Sequence, residues 1–367
     1  MSNQTLPLDQ ILHGDCIEVL KELPDQCIDL VFADPPYNLQ LRKDLWRPNM
    51  TKVNGVEDEW DQFESFQAYD DFTRAWLTEC RRVLKDTGTL WVIGSYHNIF
   101  RVGAILMDLG YWILNETVWI KTNPMPHFRG VRFTNAHETL IWAKKSEKSR
   151  YTFNYQLMKR MNGGKQMRSD WVIPICSGPE RIKINGEKAH STQKPMALLE
   201  RVVLSSSNPG DVVLDPFFGT GTTGAVAKHH GRYWIGIERD PLYIKVAQKR
   251  INLVQPPLMA EMPEQPDAPQ PRIPFARLLD QGLLVEGQRV YFRAELSNAA
   301  EVVAGGRLRY GTFEGSIHQV GRHMQGSPCN GWEHWFYADE SGELLPIDRL
   351  RDMVRAKPQE SENENIP

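Results

Sequence analysis

The sequence predicts an α/β fold with a doubly wound, mostly parallel sheet and a small second domain. Short apolar runs rich in β-branched and aromatic residues, such as Ile28–Ala33, have the composition of buried strands. Segments with helical spacing, such as residues 99–109, lie between these runs. Such alternation is typical of open sheets that bind ligands beyond the carboxyl ends of their strands, as in Rossmann-like folds.

The individual elements follow from periodicity and from turn residues. Strands are predicted at residues 11–16 (ending in a turn), 28–33, 90–93, 112–120, 139–143, 212–214 and 234–237, with 112–120 and 139–143 as an antiparallel pair. Helices are predicted at residues 17–23, 63–84, 99–109, 194–206, 222–230 and 241–253. Residues 38–60 show little periodicity and are predicted to be a long loop. Residues 144–190 show little recognisable secondary structure.

A proline-rich stretch marks the domain boundary. Residues 254–275 contain seven prolines in 22 positions, which is typical of a semi-rigid linker. We therefore predict a catalytic domain at 1–253 and a small C-terminal module with short β-like stretches at 276–355, including 289–294 and 332–337. Residues 356–367 are predicted to be a disordered acidic tail.

Composition excludes several classes of protein. The 367 residues are 41% hydrophobic and 24% charged, which is ordinary for a globular protein. No apolar run approaches the ~18 residues of a membrane helix, and the amino terminus lacks a signal-peptide pattern. The five scattered cysteines include no C-x-x-C pair, which argues against a disulfide framework and a zinc site. A cytoplasmic location is expected.

The charge distribution indicates a polyanionic partner. The net charge is −3, yet residues 121–194 contain 15 Lys and Arg against 5 Asp and Glu, so the rest of the chain carries −13. A locally basic segment in an acidic protein favours nucleic acid held at one place. A solvated lysine-rich face would give the same count.

Asp34-Pro35-Pro36-Tyr37 is the first candidate site, directly after the strand at Ile28–Ala33. Two prolines fix the backbone where a carboxylate and an aromatic ring leave the sheet. By itself this pattern also fits an ordinary turn with a surface tyrosine.

A second candidate site follows the strand at 212–214, in the run Asp215-Pro-Phe-Phe-Gly-Thr-Gly-Thr-Thr223. Its glycines permit a tight turn close to a ligand, and Glu238 ends the next strand, where an acid usually binds ribose hydroxyls. No G-K-[ST] follows and the third glycine of G-x-G-x-x-G is absent, which disfavours a P-loop and a dinucleotide site. A nucleoside-bearing cofactor such as S-adenosylmethionine fits best, and a purely structural turn is the alternative.

Together these two motifs resemble the signatures of amino-group DNA methyltransferases, in the order of the permuted β class. Gly14-Asp15-Cys16 resembles the segment beside the cofactor's adenine. The run from His190 to Pro195 resembles a His-Pro-Thr-Gln-Lys-Pro motif at the methionine end, with Ser191 in place of the first Pro.

Within that family the sequence resembles more closely still the cell-cycle-regulated adenine methyltransferases of α-proteobacteria. Residues 93–100, Asn135-Ala-His-Glu-Thr-Leu-Ile-Trp142, Cys329-Asn-Gly-Trp332 and the appended module carry this similarity, which spans roughly residues 8–355. It implies methylation of adenine N6 in double-stranded DNA within 5′-GANTC-3′, a role in cell-cycle control of replication, a nucleoid location and a C-terminal module that contacts DNA. Similar enzymes are often dimers, so a homodimer is an expectation.

The resemblance assigns roles to particular residues. Asp34 and the Pro35 carbonyl would accept the amino protons of a flipped adenine, Pro36 would hold the turn, and Tyr37 would stack on the base. No metal is expected, because the sulfonium already activates the methyl group. The cofactor residues would be Asp15, Cys16, Thr192, Lys194, Asp215, Phe217, Gly219, Gly221, Thr222, Thr223 and Glu238.

The basic region at 121–190 is the predicted DNA-recognition region. Phosphates or bases would be contacted by Arg42, Lys43, Lys121, Asn123, Arg129, Arg132, Lys159, Arg160, Arg168, Ser169, Asp170 and Trp171. Methylation of cytosine N4, RNA adenine or a protein glutamine remains an alternative at this stage. So does a DNA-binding protein with an idle catalytic centre.

Overall fold

The chain forms two compact units, Met1–Pro266 and Asp267–Pro367, which divide within residues 254–275. The computed structural model describes residues 5–39, 45–46, 52–53, 61–127, 130–184, 186–189, 192–256 and 273–356. Each unit has its own hydrophobic core. Among the described helices, none combines the length and the apolar composition that crossing a membrane requires.

The strands of the first unit form one large sheet and two short hairpins. In chain order, the described strands are β1 (Gln10–His13), β2 (Ile28–Ala33), β3 (Leu45–Trp46), β4 (Lys52–Val53), β5 (Leu84–Gly94), β6 (Trp112–Lys121), β7 (His137–Lys144), β8 (Asp170–Ile173), β9 (Lys183–Ile184), β10 (Glu187–Lys188), β11 (Val212–Asp215) and β12 (Tyr233–Glu238). The large sheet has the spatial order β1–β12–β11–β2–β5–β7–β6–β8. Within this described sheet only β7 runs against the others, so the prediction of a mostly parallel sheet is confirmed.

Helices cover both faces of the sheet. They are α1 (Cys16–Glu22), α2 (Phe66–Val83), α3 (Ile99–Asp108), α4 (Tyr155–Met161), α5 (Met196–Ser206), α6 (Thr222–His229) and α7 (Pro241–Asn252). Because successive strand residues point to opposite faces, Val31 packs in the core with α1, α2 and α3, whereas Leu30 packs in the core with α5, α6 and α7. The unit is therefore a three-layer αβα structure.

Each strand and helix predicted for this unit is present, and several of their ends differ by a few residues. The helix predicted at 63–84 begins at Phe66 and ends at Val83. Leu84 already pairs with Ile28 of β2, so β5 begins there and includes residues 85–89. Long-range strand pairing ends this helix before the predicted position.

The stretch 144–190, for which little secondary structure is predicted, contributes α4 and an edge strand. Asn154 precedes α4, and its amide nitrogen donates to the carbonyls of Leu204 and Ser207 at 2.8 and 2.9 Å. β8 lies parallel to β6 and alternates exposed and buried residues. Trp171 of β8 is buried, its ring centroid 5.7 Å from that of Trp91. Its predicted contact with DNA is therefore corrected to a place in the core.

The second unit is an antiparallel sheet packed against short helices. Its described elements are α8 (Ala276–Asp280), β13 (Arg289–Phe292), β14 (Ala299–Val303), β15 (Arg307–Tyr310), β16 (Phe313–Gly315), α9 (Ile317–Gln325), α10 (Gly331–His334), β17 (Trp335–Ala338), β18 (Leu344–Pro346) and α11 (Asp348–Ala356). The sheet has the order β16–β15–β14–β13–β17–β18. The β-like stretch predicted at 332–337 starts as α10, and β17 follows it.

Two tryptophans of this unit belong to its core. Trp335 is fully buried, and its indole nitrogen donates to the Ile317 carbonyl at 2.9 Å. Trp332 is also buried and packs in the same core.

On the sheet surface Arg309 lies between Glu301 and Glu314, at 3.7 and 3.6 Å. This arginine has acidic neighbours within its own sheet.

A methyl group added at Gly236 is expected to destabilise the first unit. A Cβ there would lie 2.3 Å from the ring of Phe218, which stacks on Trp234 at 5.4 Å. Overpacking of this kind costs about 1–3 kcal/mol. Urea unfolding of Gly236→Ala should show that loss, whereas Tyr233→Phe, at an exposed position on the same strand, should not. Equal midpoints for Gly236→Ala and the unmodified chain would contradict this packing.

Candidate active site

Both sequence motifs line one cavity at the carboxyl edge of the sheet. β2 and β11 are neighbours, with Leu30 opposite Val213, so the segments that follow them emerge side by side. The cavity has a volume of about 920 Å³. Its lining includes every predicted catalytic and cofactor residue except Gly221, namely Asp15, Cys16, Asp34, Pro35, Pro36, Tyr37, Thr192, Lys194, Asp215, Phe217, Gly219, Thr222, Thr223 and Glu238.

Gly221 shapes the turn without lining the cavity. It precedes α6 in the left-handed conformation, at φ 74°. A Cβ at this position would lie 2.8 Å from the Cβ of Ala247 on α7. Its role is corrected to close packing between α6 and α7, for which glycine is required.

Asp34 is held by one of its two carboxylate oxygens. The Lys194 ammonium lies 2.6 Å from Oδ2, and the Asp34 side chain is 18% exposed. Oδ1 is buried and has no hydrogen-bond partner in the described part of the chain. Burial raises the pKa of Asp34, and the attraction of Lys194 offsets only part of that rise. Oδ1 is thus an acceptor without a hydrogen-bond partner in the described part of the chain, in a residue that lines the cavity.

Backbone contacts fix the loop that carries Asp34 and Tyr37. The Asp61 carboxylate accepts from the backbone N–H groups of Tyr37, Asn38 and Leu39 at 2.6–3.0 Å. The Tyr69 hydroxyl donates to the Pro36 carbonyl at 2.9 Å. Sequence reasoning missed Asp61 and Tyr69, because neither belongs to a local motif and both act through long-range contacts.

Glu138 at the start of β7 is a further site residue that sequence reasoning missed. Its Oε2 accepts from the Tyr37 hydroxyl at 2.9 Å, and its Oε1 pairs with Lys121 at 2.7 Å. Burial would raise the pKa of Glu138, but Lys194 and Lys121 together lower it. The sequence feature that could have identified Glu138 is its place within the Asn135–Trp142 run, one of the segments that carry the family resemblance. The phosphate contact predicted for Lys121 is corrected, since this side chain is 11% exposed and pairs with Glu138.

The cofactor side of the cavity contains two acids held by backbone amides. Glu238 Oε2 accepts from Gly219 N–H at 2.7 Å, and Oε1 accepts from the N–H groups of Arg239 and Asp240. Burial raises the pKa of Glu238, and these three hydrogen bonds oppose the rise. The carboxylate therefore keeps a fixed orientation at the cavity wall, where its remaining lone pairs suit ribose hydroxyls.

Asp215 is the second acid of the cofactor side. Thr223 donates its hydroxyl to Oδ2 at 2.6 Å, and Phe217 N–H donates to Oδ1 at 2.9 Å. Burial raises the pKa of Asp215 to about 7. Among the described residues this buried carboxylate has no ion-pair partner, which suits it to a positively charged ligand group.

The remaining cofactor-side residues build the walls. Asp15 caps α1 by accepting from the Ile17 N–H at 2.9 Å. Phe217 packs edge-on against Trp76, with ring centroids 5.2 Å apart. Burial raises the pKa of the Cys16 thiol to about 12, which keeps the thiol protonated and unreactive. These residues give the cavity apolar walls beside its acids.

Some predicted DNA-contacting residues have protein partners. Asn123 accepts the Ile175 N–H through its side-chain oxygen at 2.8 Å. Arg168 forms two hydrogen bonds with Asp170, at 2.8 and 2.7 Å. Ser169 accepts the Val118 N–H through its backbone carbonyl. The predicted contacts by Arg42, Lys43 and Arg129 lie outside the described residues, as do His190 and Ser191.

Comparisons with known proteins agree with this geometry. The family model of the N6 and N4 methyltransferases, described as DNA methylase, matches residues 28–249. The chain belongs to the DNA methylase family. The methylase is 49% identical over 348 residues to the type II methyltransferase M.HinfI of Haemophilus influenzae, which covers 94% of this chain and 96% of the relative.

Two other relatives cover a smaller share of the chain. The type II methyltransferase M2.LlaDCHI of Lactococcus lactis subsp. cremoris is 43% identical over 243 residues, covering 66% of the methylase and 88% of the relative. The crystal structure of the M1.HpyAVI–SAM complex is 28% identical, with a TM-score of 0.50, and covers 66% of the methylase and 99% of that chain. S-adenosylmethionine is the cofactor of the methylase, and the cavity with its two acids fits it.

Cofactor affinity is expected to depend on the protonation of Asp215. Because burial raises its pKa to about 7, this acid is mostly neutral below pH 7 and ionised above it. A cationic ligand favours the ionised form, so affinity should rise up to tenfold per pH unit from pH 5.5 to 7 and then level off. Calorimetric titration with S-adenosylmethionine would measure this slope.

Asp215→Asn provides the matched control. The amide cannot ionise, so its affinity should be weak and nearly independent of pH over the same range. A variant with the same slope as the unmodified methylase would show that another group titrates.

Proposed function

We propose that the methylase transfers a methyl group from S-adenosylmethionine to N6 of adenine in double-stranded DNA, within 5′-GANTC-3′. The observation that carries this proposal is the free Oδ1 of Asp34, in a cavity shared with the cofactor residues. Adenine rather than cytosine, the GANTC sequence and the cell-cycle role rest on the resemblance of the motifs. A homodimer and a nucleoid location remain predictions.

Asp34 is proposed to activate the amino group. The lone pair of an adenine amino group is delocalised into the ring, which makes it a poor nucleophile. Asp34 Oδ1 and the Pro35 carbonyl accept its two N–H bonds, which favours a pyramidal nitrogen with an available lone pair. When bound, S-adenosylmethionine supplies a methyl group activated by the sulfonium charge. The Asp34 carboxylate stabilises the positive charge that develops on the amino nitrogen.

Tyr37 is proposed to hold the target base. A base inside a duplex is out of reach of the cavity, so the adenine must flip out at a cost of a few kcal/mol. Stacking on an aromatic ring returns about 1–3 kcal/mol. The Tyr37 hydroxyl is fixed by Glu138, which orients the ring before the base arrives.

The loop at 122–136 is proposed as part of the DNA-binding surface. It joins β6 to β7 at the carboxyl edge of β5, next to Glu138, and therefore leaves the sheet beside the cavity. Within its described part Arg132 is exposed and Phe133 is 98% exposed. A cation and an unburied aromatic ring suit contact with a phosphate and with a base, respectively. The C-terminal module is proposed to add further DNA contacts.

Replacing Asp34 is expected to abolish methyl transfer and spare cofactor binding. Asp34→Ala removes the amino-group acceptor, and loss of a comparable hydrogen-bonding group at other catalytic centres costs about 10²–10³ in kcat. Tritiated S-adenosylmethionine with duplexes that differ at one adenine, followed by nucleoside analysis, would measure the loss and identify the product. Asp25→Ala, at an exposed position, should retain normal turnover.

Four results would contradict the assignment. Near-normal turnover by Asp34→Ala would exclude the role of this carboxylate. A labelled cytosine would indicate N4 methylation, and label that is independent of the varied adenine would exclude the proposed site. Absence of any transfer by the unmodified chain would indicate an idle catalytic centre.

DNA affinity is expected to separate the roles of Arg132 and Phe133. Arg132→Ala should reduce the slope of log affinity against log salt by about 1, because one phosphate contact is lost. Phe133→Ala should weaken binding several-fold with no change in slope, since an apolar contact releases no counterions. Fluorescence anisotropy between about 50 and 200 mM salt, where affinity changes steeply, would measure the affinity and the slope for each variant.

Two exposed residues on other surfaces serve as controls. Arg74→Ala, on α2, and Tyr233→Ala, at the start of β12 and so at the opposite edge of the sheet, should leave affinity and slope unchanged. A flat salt profile for the unmodified methylase would contradict an electrostatic DNA interface.

A further inference from the structure

We propose that Glu138 is a positioning residue for methyl transfer. When the target amino group binds, the Lys194 ammonium moves from Asp34 to Glu138. This inference rests on the proposed function and deepens it. The decisive geometry is the place of Lys194 between two carboxylates: its Nζ lies 2.6 Å from Asp34 Oδ2 and 3.9 Å from Glu138 Oε2. A shift of about 1 Å would bring Lys194 within ordinary hydrogen-bond distance of Glu138.

Glu138 interacts with residues from three other segments of the chain. It accepts from Tyr37 in the loop after β2, pairs with Lys121 at the end of β6, and faces Lys194 in the segment before α5. Its side chain is 12% exposed and that of Lys194 is 7% exposed. Two carboxylates and two ammonium groups therefore balance in a buried cluster, where an unpaired charge would be costly.

The balance of charge matters for the reaction. With Lys194 at Asp34 Oδ2, the carboxylate that must face a nitrogen becoming cationic is already neutralised by an ammonium. When the N6 lone pair forms its bond to the methyl carbon, the carbon–sulfur bond breaks with its electron pair going to sulfur. The positive charge then resides on nitrogen. An Asp34 free of Lys194 stabilises that charge more strongly.

Glu138 makes this exchange possible without leaving Lys194 unpaired. Lys194 keeps a carboxylate partner in either position, so its charge stays compensated while Asp34 becomes available. Burial would lower the pKa of Lys194, but Asp34 and Glu138 together raise it, which favours the cationic form of Lys194 beside these carboxylates. Glu138 acts through Lys194 and Tyr37 and does not itself contact the base.

Glu138→Gln tests the proposal, because the amide keeps an oxygen acceptor and loses the charge. Lys194 should then remain on Asp34, and kcat should fall about 10–100-fold, less than the ~10²–10³ that follows loss of a group in direct contact with the reacting atoms. The Michaelis constants for DNA and S-adenosylmethionine should change less than about threefold. Glu138→Asp, which restores the charge, should recover part of kcat.

The pH profile of kcat distinguishes this role from a loss of packing. Glu138 repels the ionised form of Asp34, and Lys194 favours it. Removing the Glu138 charge and leaving Lys194 wholly on Asp34 both lower the pKa of Asp34. The acidic limb of the profile should therefore move to lower pH while the plateau falls.

Other ionisable groups near the cluster are held constant in this comparison. Within the described structure, Tyr37 and Lys194 face both carboxylates, Lys121 faces Glu138, and Asp215 interacts with Asp34. Glu180→Gln is the matched control, since Glu180 accepts the Met196 N–H beside Lys194 without joining the cluster. It should leave kcat and the acidic limb unchanged.

The outcomes separate this inference from the proposed function. If nucleoside analysis shows cytosine as the target, the adenine assignment fails, and the same pH comparison is made with that amino base. If Glu138→Gln loses activity with an unmoved acidic limb, or keeps full kcat, the exchange of Lys194 is overturned while the proposed function stands. An unmodified methylase without activity on any amino base would overturn both.

Discussion

The ion pair between Lys194 and Asp34 connects the two halves of the catalytic unit. These residues are 160 positions apart in the chain, and their charged atoms lie 2.6 Å apart in a buried place. A buried charge without a partner would cost several kcal/mol. The segment before α5 and the loop after β2 are therefore tied together, and the orientation of Asp34 depends on both.

The sheet order makes that pair possible. β11 comes late in the chain, yet it lies beside β2, and β12 and β1 follow outward. The carboxyl ends of these parallel strands meet at one edge, where Asp34, Asp215 and Glu238 line the same cavity. The catalytic motif thus precedes the cofactor motif in sequence while the two are neighbours in space, as in the permuted class that the motifs resemble.

The basic segment at 121–194 has more than one role. Lys121 compensates Glu138, Lys194 compensates Asp34, and Arg168 pairs with Asp170. Part of the +10 charge therefore balances carboxylates of the protein itself. Arg132 in the exposed loop remains a candidate for phosphate contact. A count of charges along the chain cannot separate these uses, because it contains no information on which carboxylates lie nearby.

The sequence alone predicted most strands and helices of the first unit and the two motifs, because each depends on local periodicity or on turn residues such as Pro35 and Gly219. Only the tertiary structure decided how Asp34 is used, since Lys194, Glu138 and Asp61 reach its loop from distant segments. The same holds for Trp171. Its basic surroundings in the sequence suggested a DNA contact, but the pairing of β8 with β6 places it in the core. A local sequence pattern predicts a helix or a strand because the residues that determine it lie within a few positions of one another. Charge pairing and burial depend on the sheet order, which brings distant residues together.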